Sequence, residues 1–283
     1  MAVNDPLVST DWLAGRLGDP DVVVVDGSWH MPAEGRDAAA EHRQTRIPGA
    51  VRFDIDAICD QASGLPHMLP SPAEFARSAR RLGVSEMSTV VVYDSLGLFS
   101  AARVWWTFRA MGHDRTFVLD GGLPKWIGEG RPVETGEASP EVGDFQAERR
   151  ADLVEDLEGM RAAVAAGRPQ IIDARAADRF SGAAPEPRAG LRSGHMPGAR
   201  NLPWSRLVTP DGRLADSEAL RDTFADADVN LSAPIITTCG SGVSAAILAL
   251  ALARLGRPDV AVYDGSWSEW GALSDTPIAT GEA

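Results

Sequence analysis

The chain has 283 residues, 44% of them hydrophobic, which is enough for two ordinary domains each with its own core. A formal net charge of −13 argues against nucleic acid or an anionic membrane as the principal partner, and with Lys125 the one lysine among 27 basic residues, anion recognition falls to arginine and Schiff-base chemistry is disfavoured. Two cysteines, Cys59 and Cys239, point to a reducing compartment, and MAVNDPLVSTDW has no basic region followed by an apolar stretch, so a cytoplasmic protein without a membrane span is expected.

In chain order, the near-continuous apolar run at 22–26 predicts a strand buried on both faces. SPAEFARSARRLGV (71–84) predicts a helix, with Ser71 as N-cap, Pro72 at the first helical position, Glu74 closing a capping box and Gly83 as the stop. A second strand is predicted at 90–93. The polar stretch RPVETGEASPEVGDFQAERRAD (131–152) reads as a connecting segment. Beyond it, strands are predicted at 171–173, 235–238 and 260–263, and SEALRDTFADADV (217–229) as a helix matching 71–84. Short strands alternating with helices predict two α/β domains with mainly parallel sheets and helices on both faces.

The two halves repeat one another. VVVVDGSWH (22–30) answers QIIDARAADRF (170–180), RIPGAVRFDI (46–55) answers HMPGARNLPW (195–204), VVVYDSLGLFSAARVWW (90–106) answers PIITTCGSGVSAAILAL (234–250), and VLDGGLPKW (118–126) answers VYDGSWSEW (262–270). The order is the same and the spacing nearly so: Asp26 to Asp173 spans 147 positions, Ser100 to Ser244 spans 144, and Trp126 to Trp270 spans 144. Four ordered matches make a tandem duplication. The expected division is residues 1–135, a linker at 136–151, and residues 152–283.

Cys239 closes an apolar strand-like run and opens a glycine-rich turn leading into an alanine/leucine helix. Gly240 and Gly242 allow the backbone to bend its N–H groups inward, and the helix adds the positive end of its dipole, so the pair of effects favours a thiolate nucleophile. A cysteine at a strand end is usually a small apolar packing residue. The Gly-Ser-Gly that follows argues otherwise, because packing needs no amide-rich loop. In the first half the corresponding position is Asp94, in a loop one residue longer, which is not expected to cradle a thiolate.

On the duplicated PGA and DG…W segments, the loop CGSGVS (239–244) and the stretch DARAADRFSGAAPEPRAGLRSGHMPGA (173–199), the chain resembles the two-domain rhodanese-type sulfurtransferases, and among them the 3-mercaptopyruvate group. The resemblance implies an inactive N-terminal and a catalytic C-terminal rhodanese-like domain. It implies Cys239 as nucleophile in the loop Gly240, Ser241, Gly242, Val243 and Ser244, the last a threonine in much of the family. It also places Arg179 and Arg188 on the carboxylate and ketone of the donor, where a bidentate fork suits a small keto acid. Ser241, His67 and Asp56 would form a proton relay. Related thiosulfate enzymes carry basic residues directly after the cysteine, where this chain has Gly240 and Ser241, so 3-mercaptopyruvate is the expected donor, with a small thiol, thioredoxin or cyanide as acceptor and with no metal or organic cofactor. His30, His42, His113 and His195 show no metal-ligand spacing. A thiosulfate sulfurtransferase and a non-catalytic persulfide carrier or thiol-redox module are the alternatives. A cysteine phosphatase is disfavoured, because the arginine its loop requires is Ala245 here.

Overall fold

The computed structural model describes residues 5–281; the reading of the N-terminus as leaderless falls partly on Met1–Asn4, outside the described residues. The first half contains β1 (Leu7–Val8), α1 (Thr10–Ala14), β2 (Val22–Asp26), α2 (Ala38–Gln44), β3 (Val51–Arg52), α3 (Pro72–Arg81), β4 (Thr89–Tyr93), α4 (Ala101–Ala110), β5 (Thr116–Leu119) and α5 (Gly122–Gly128). The second half contains β6 (Val154–Glu155), α6 (Leu157–Ala166), β7 (Gln170–Asp173), α7 (Ala177–Ser181), β8 (Arg200–Asn201), α8 (Ser217–Asp226), β9 (Ile235–Thr238), α9 (Ala245–Arg254), β10 (Ala261–Tyr263) and α10 (Ser266–Trp270). Each half forms a five-stranded sheet whose strands all pair in parallel, in the order β1-β5-β4-β2-β3 and, equivalently, β6-β10-β9-β7-β8.

The sequence signals act as their chemistry requires. Ser71 Oγ accepts from the Glu74 amide while the Glu74 carboxylate accepts from the Ser71 amide, and Gly83 takes φ +82 just beyond the helix end. β4 is buried at all five positions and β9 at all four, as the middle strands of helix-covered sheets must be. The helices after them, α4 and α9, are buried around nearly their whole circumference: AILALALA has no polar residue, and even Arg103 and Thr107 of α4 are buried. Each fully buried aliphatic side chain in these elements contributes roughly 1.5–3 kcal/mol. The duplicated tryptophans play one role twice: Trp126 Nε1 donates to Pro132 O at 2.7 Å, and Trp270 Nε1 donates to Pro277 O at 2.9 Å.

The chain clusters into two compact units, but not by a single cut. One comprises 1–61, 69–150 and 210–214; the other comprises 62–68, 151–209 and 215–283. The stretch expected to be a linker is bonded to the first unit through Gly143 N to Arg80 O (2.9 Å), Glu148 N to Met111 O (3.1 Å) and Arg150 N to Ala110 O (2.8 Å), with Phe145 buried against Phe75 and His113. Phe145 is the aromatic anchor of an otherwise mainly polar stretch, beside these backbone bonds. No helix among the described residues is long and apolar enough to cross a membrane.

Candidate active site

In a parallel sheet all strands end at the same edge, so the loops after β7, β9 and β10 converge there. Cys239 follows β9 directly and is buried at 2% exposure. Its amide donates to Ser266 Oγ at 3.3 Å, and its carbonyl accepts from Trp267 N at 2.9 Å. The Gly240 carbonyl is held by Ser268 N (2.8 Å) and Ser268 Oγ (2.7 Å). The first three residues of α10 therefore pin the start of the cysteine loop. Among the described residues, the N–H groups of Gly240, Ser241, Val243 and Ser244 donate to no protein acceptor. Gly242 stands at φ +78, the left-handed conformation that its lack of a side chain permits, and Ser244 precedes α9 without a side-chain capping bond.

The same loop in the first half clarifies what this geometry does. Its amides do turn onto an anion, the Asp94 carboxylate, which accepts from Leu96 N (2.9 Å), Phe99 N (2.7 Å) and Ala101 N (2.9 Å). The expectation that this loop holds no thiolate stands beside a finding that sequence did not anticipate: the amide cradle persists and is filled from within. Burial pushes the Asp94 carboxyl above its ordinary value, against the three amide bonds that pull it down. The position under each loop has also diverged. Gly122 at φ +52 lies so close that an added Cβ would meet Asp94 O at 2.5 Å and Gly97 O at 2.8 Å. Its counterpart, Ser266, keeps the left-handed backbone at φ +50 and uses its side chain to bind the Cys239 amide. A serine there costs strain on the order of 1–3 kcal/mol, a cost met with at active sites.

Arg179, on α7, reaches the loop. Its Nη2 lies 3.0 Å from where a Cβ on Gly240 would stand, so the absence of a side chain at 240 makes room for the guanidinium. Arg179 Nε donates to Glu186 Oε1 at 3.3 Å and Nη2 to Oε2 at 2.5 Å. Glu186 Oε1 also accepts from Arg175 Nη1 at 2.7 Å, and Arg175 is itself clasped by Asp173, donating Nη2 to Oδ2 at 2.6 Å, and stacked over the Trp267 ring at 4.2 Å. Burial alone would lower the Arg175 pKa, but Asp173 and Glu186 outweigh it and hold the guanidinium above its usual value. Arg188 sits half-buried in the loop after α7.

His67 is buried at 5% exposure, takes a left-handed φ of +62, and lies in the 62–68 segment that clusters with the cysteine-bearing unit. Ser241 is buried in the same unit, and its hydroxyl makes no hydrogen bond among the described residues. Asp56 belongs to the first unit, where its Oδ2 accepts from Trp29 Nε1 at 2.8 Å. The structure thus brings Cys239, its loop and Arg179 together, and draws no hydrogen bond from Ser241 toward the relay. His195 packs flat on Phe180, rings 3.8 Å apart, with Nδ1 at 2.9 Å from Phe180 O. Sequence reasoning missed Arg175, Glu186, Ser266 and Ser268. The last two lie in the DGSWSEW repeat, whose place after the neighbouring strand was the signal that could have found them.

A family model for the rhodanese-like domain matches residues 9–129 and again 156–273. The chain belongs to the rhodanese family. Rhodanese relatives include the 3-mercaptopyruvate sulfurtransferase of Escherichia coli K12, 44% identical over 272 residues covering 96% of each chain. The thiosulfate sulfurtransferase of Rattus norvegicus is 43% identical over 287 residues, covering 98% of this chain and 96% of the relative. The crystal structure of SseA from Escherichia coli, described as a 3-mercaptopyruvate sulfotransferase with the rhodanese fold, superposes with a TM-score of 0.86 at 42% identity, covering 94% of this chain and all of that one. Overall identity hardly separates the two donors, so the residues around the cysteine must.

Proposed function

We infer that the protein is a 3-mercaptopyruvate sulfurtransferase working through a Cys239 persulfide. The observation that carries the choice of donor is the packing of the Arg179 guanidinium against the bare Gly240 backbone, in a loop with no basic side chain. That geometry offers a planar fork to a carboxylate, and the cysteine loop itself adds no positive charge for a dianion.

In the proposed cycle Arg179 and Arg188 hold the keto acid while the Cys239 thiolate attacks its sulfur. An S–S bond forms, the C–S bond breaks, and the electron pair passes to carbon as the enolate of pyruvate. The proton of the substrate thiol is transferred to that carbon through Ser241 and His67, so that one thiolate and one mercaptopyruvate yield one persulfide anion and one pyruvate. The N–H groups of Gly240, Ser241, Val243 and Ser244, which donate to no protein acceptor among the described residues, are the groups that can receive the persulfide. A thiol, either small or on a protein such as thioredoxin, or cyanide then takes the outer sulfur and regenerates Cys239. Measuring kcat/KM for 3-mercaptopyruvate and thiosulfate with a common acceptor tests the reading: mercaptopyruvate should be preferred, and a preference for thiosulfate would overturn it.

A further inference from the structure

We propose that Glu186 is a positioning residue that fixes both the orientation and the charge of the Arg179 fork, and thereby favours a monoanionic keto-acid donor over a dianion. This rests on the reading of Arg179 as the clamp for the donor carboxylate.

A guanidinium offers a carboxylate two useful edges, the Nε/Nη2 side and the Nη1/Nη2 end. In this site Glu186 occupies the first with both its oxygens, at 3.3 and 2.5 Å. The end fork is left for a ligand: the Arg179 side chain is 23% exposed, whereas the Glu186 side chain is 1% exposed and that of Arg175 fully buried. Glu186 cannot swing away from this duty, because its Oε1 is shared with Arg175 Nη1 at 2.7 Å and Arg175 is locked by Asp173, by Gly194 O at 2.8 Å and by the Trp267 ring.

The second consequence is electrostatic. Arg175 and Arg179 face Asp173 and Glu186, two positive groups against two negative ones, so the cluster carries no formal net charge. Apart from the charge of Arg188, a donor arriving at Arg179 meets directed N–H groups more than a net positive field. A flat monoanionic carboxylate gains fully from directed donors. A dianion such as thiosulfate depends on net charge, and the nearby carboxylate works twice as strongly against it as against a monoanion.

The full-length enzyme is tested with both donors and cyanide as acceptor. Glu186→Gln should raise KM for 3-mercaptopyruvate about tenfold, the value of one charge-assisted hydrogen bond, with kcat little changed, while thiosulfate loses less or gains. In an Arg179→Ala background the same substitution should leave mercaptopyruvate efficiency where Arg179→Ala alone puts it, since Glu186 acts through that arginine. Glu186→Asp keeps the buried charge but shortens the fork, so it should raise mercaptopyruvate KM without improving thiosulfate; it carries the test if the glutamine variant fails to fold. Equal losses with both donors in Glu186→Gln, or a further loss in the Arg179→Ala background, would overturn the proposal. Wild-type enzyme that fails to turn over mercaptopyruvate would instead defeat the functional reading itself.

Discussion

Replacing Gly240 with alanine tests how closely Arg179 is fitted onto the cysteine loop. The new Cβ would stand 3.0 Å from Arg179 Nη2 and 4.0 Å from its Cζ. Ordinary contact between such atoms is about 3.5 Å, so the guanidinium must retreat by about 0.5 Å. It cannot do so freely, because Nη2 is bonded to Glu186 at 2.5 Å. Losing a hydrogen bond to a charged group costs about 1.5–3 kcal/mol, and a partial displacement falls at the low end. KM for 3-mercaptopyruvate should therefore rise about tenfold, with kcat nearly unchanged. The fold should not suffer. Gly240 lies outside the left-handed region, and a compatible glycine-to-alanine change stabilises by about 0.4–1 kcal/mol through the unfolded chain. Steady-state pyruvate release at fixed acceptor, alongside a thermal melt, separates the two effects. An unchanged KM would refute the packing of Arg179 on Gly240, and a lowered Tm with KM intact would place the strain in the fold.

Two further outcomes are expected. Ser241→Ala and His67→Ala should each lower kcat more than they raise KM, and the double variant should lose less than the product of the single losses; fully multiplicative losses in stopped-flow pyruvate release would reject a shared relay. For Asp94, whose folded-state pKa is raised, stability is fully present below the ordinary aspartate range and is lost as pH rises from there through the folded value. Wild-type stability measured by urea unfolding should show that decline as pH rises above the ordinary aspartate range and Asp94→Asn should not; matching slopes would show that burial of this carboxylate does not govern its titration.

The fold was legible because its signals are local. The runs at 22–26, 90–93 and 235–238 needed only apolar continuity, and the helix after Ser71 announced itself through Ser71, Pro72 and Glu74. The cysteine loop was legible because Gly-Ser-Gly directly after a strand-end cysteine supplies backbone amides that a merely packed side chain has no use for. The supporting charges were not. Glu186 between two prolines reads as a solvated loop carboxylate, and its burial depends on Arg175 and Arg179, whose own burial depends on it. Such mutual pairing leaves no periodic trace. That the 62–68 segment, lying between β3 and α3, clusters with the second unit and carries His67 there was legible only through the family resemblance, since contacts across long loops are set by packing and leave no periodic pattern. The amide cradle around Asp94 was hidden for a simpler reason: replacing the nucleophile removes the chemistry but leaves an anion for the loop to bind.

The central claim is that sulfur passes through Cys239, and intact-protein and peptide mass spectrometry after treatment with 3-mercaptopyruvate in the absence of acceptor tests it most directly. One added sulfur should appear on the peptide containing Cys239, disappear when cyanide or a thiol is added, and be absent from Cys239→Ser, while Cys59→Ser retains it. Sulfur confined to the Cys59 peptide, or turnover persisting in Cys239→Ser, would contradict the assignment.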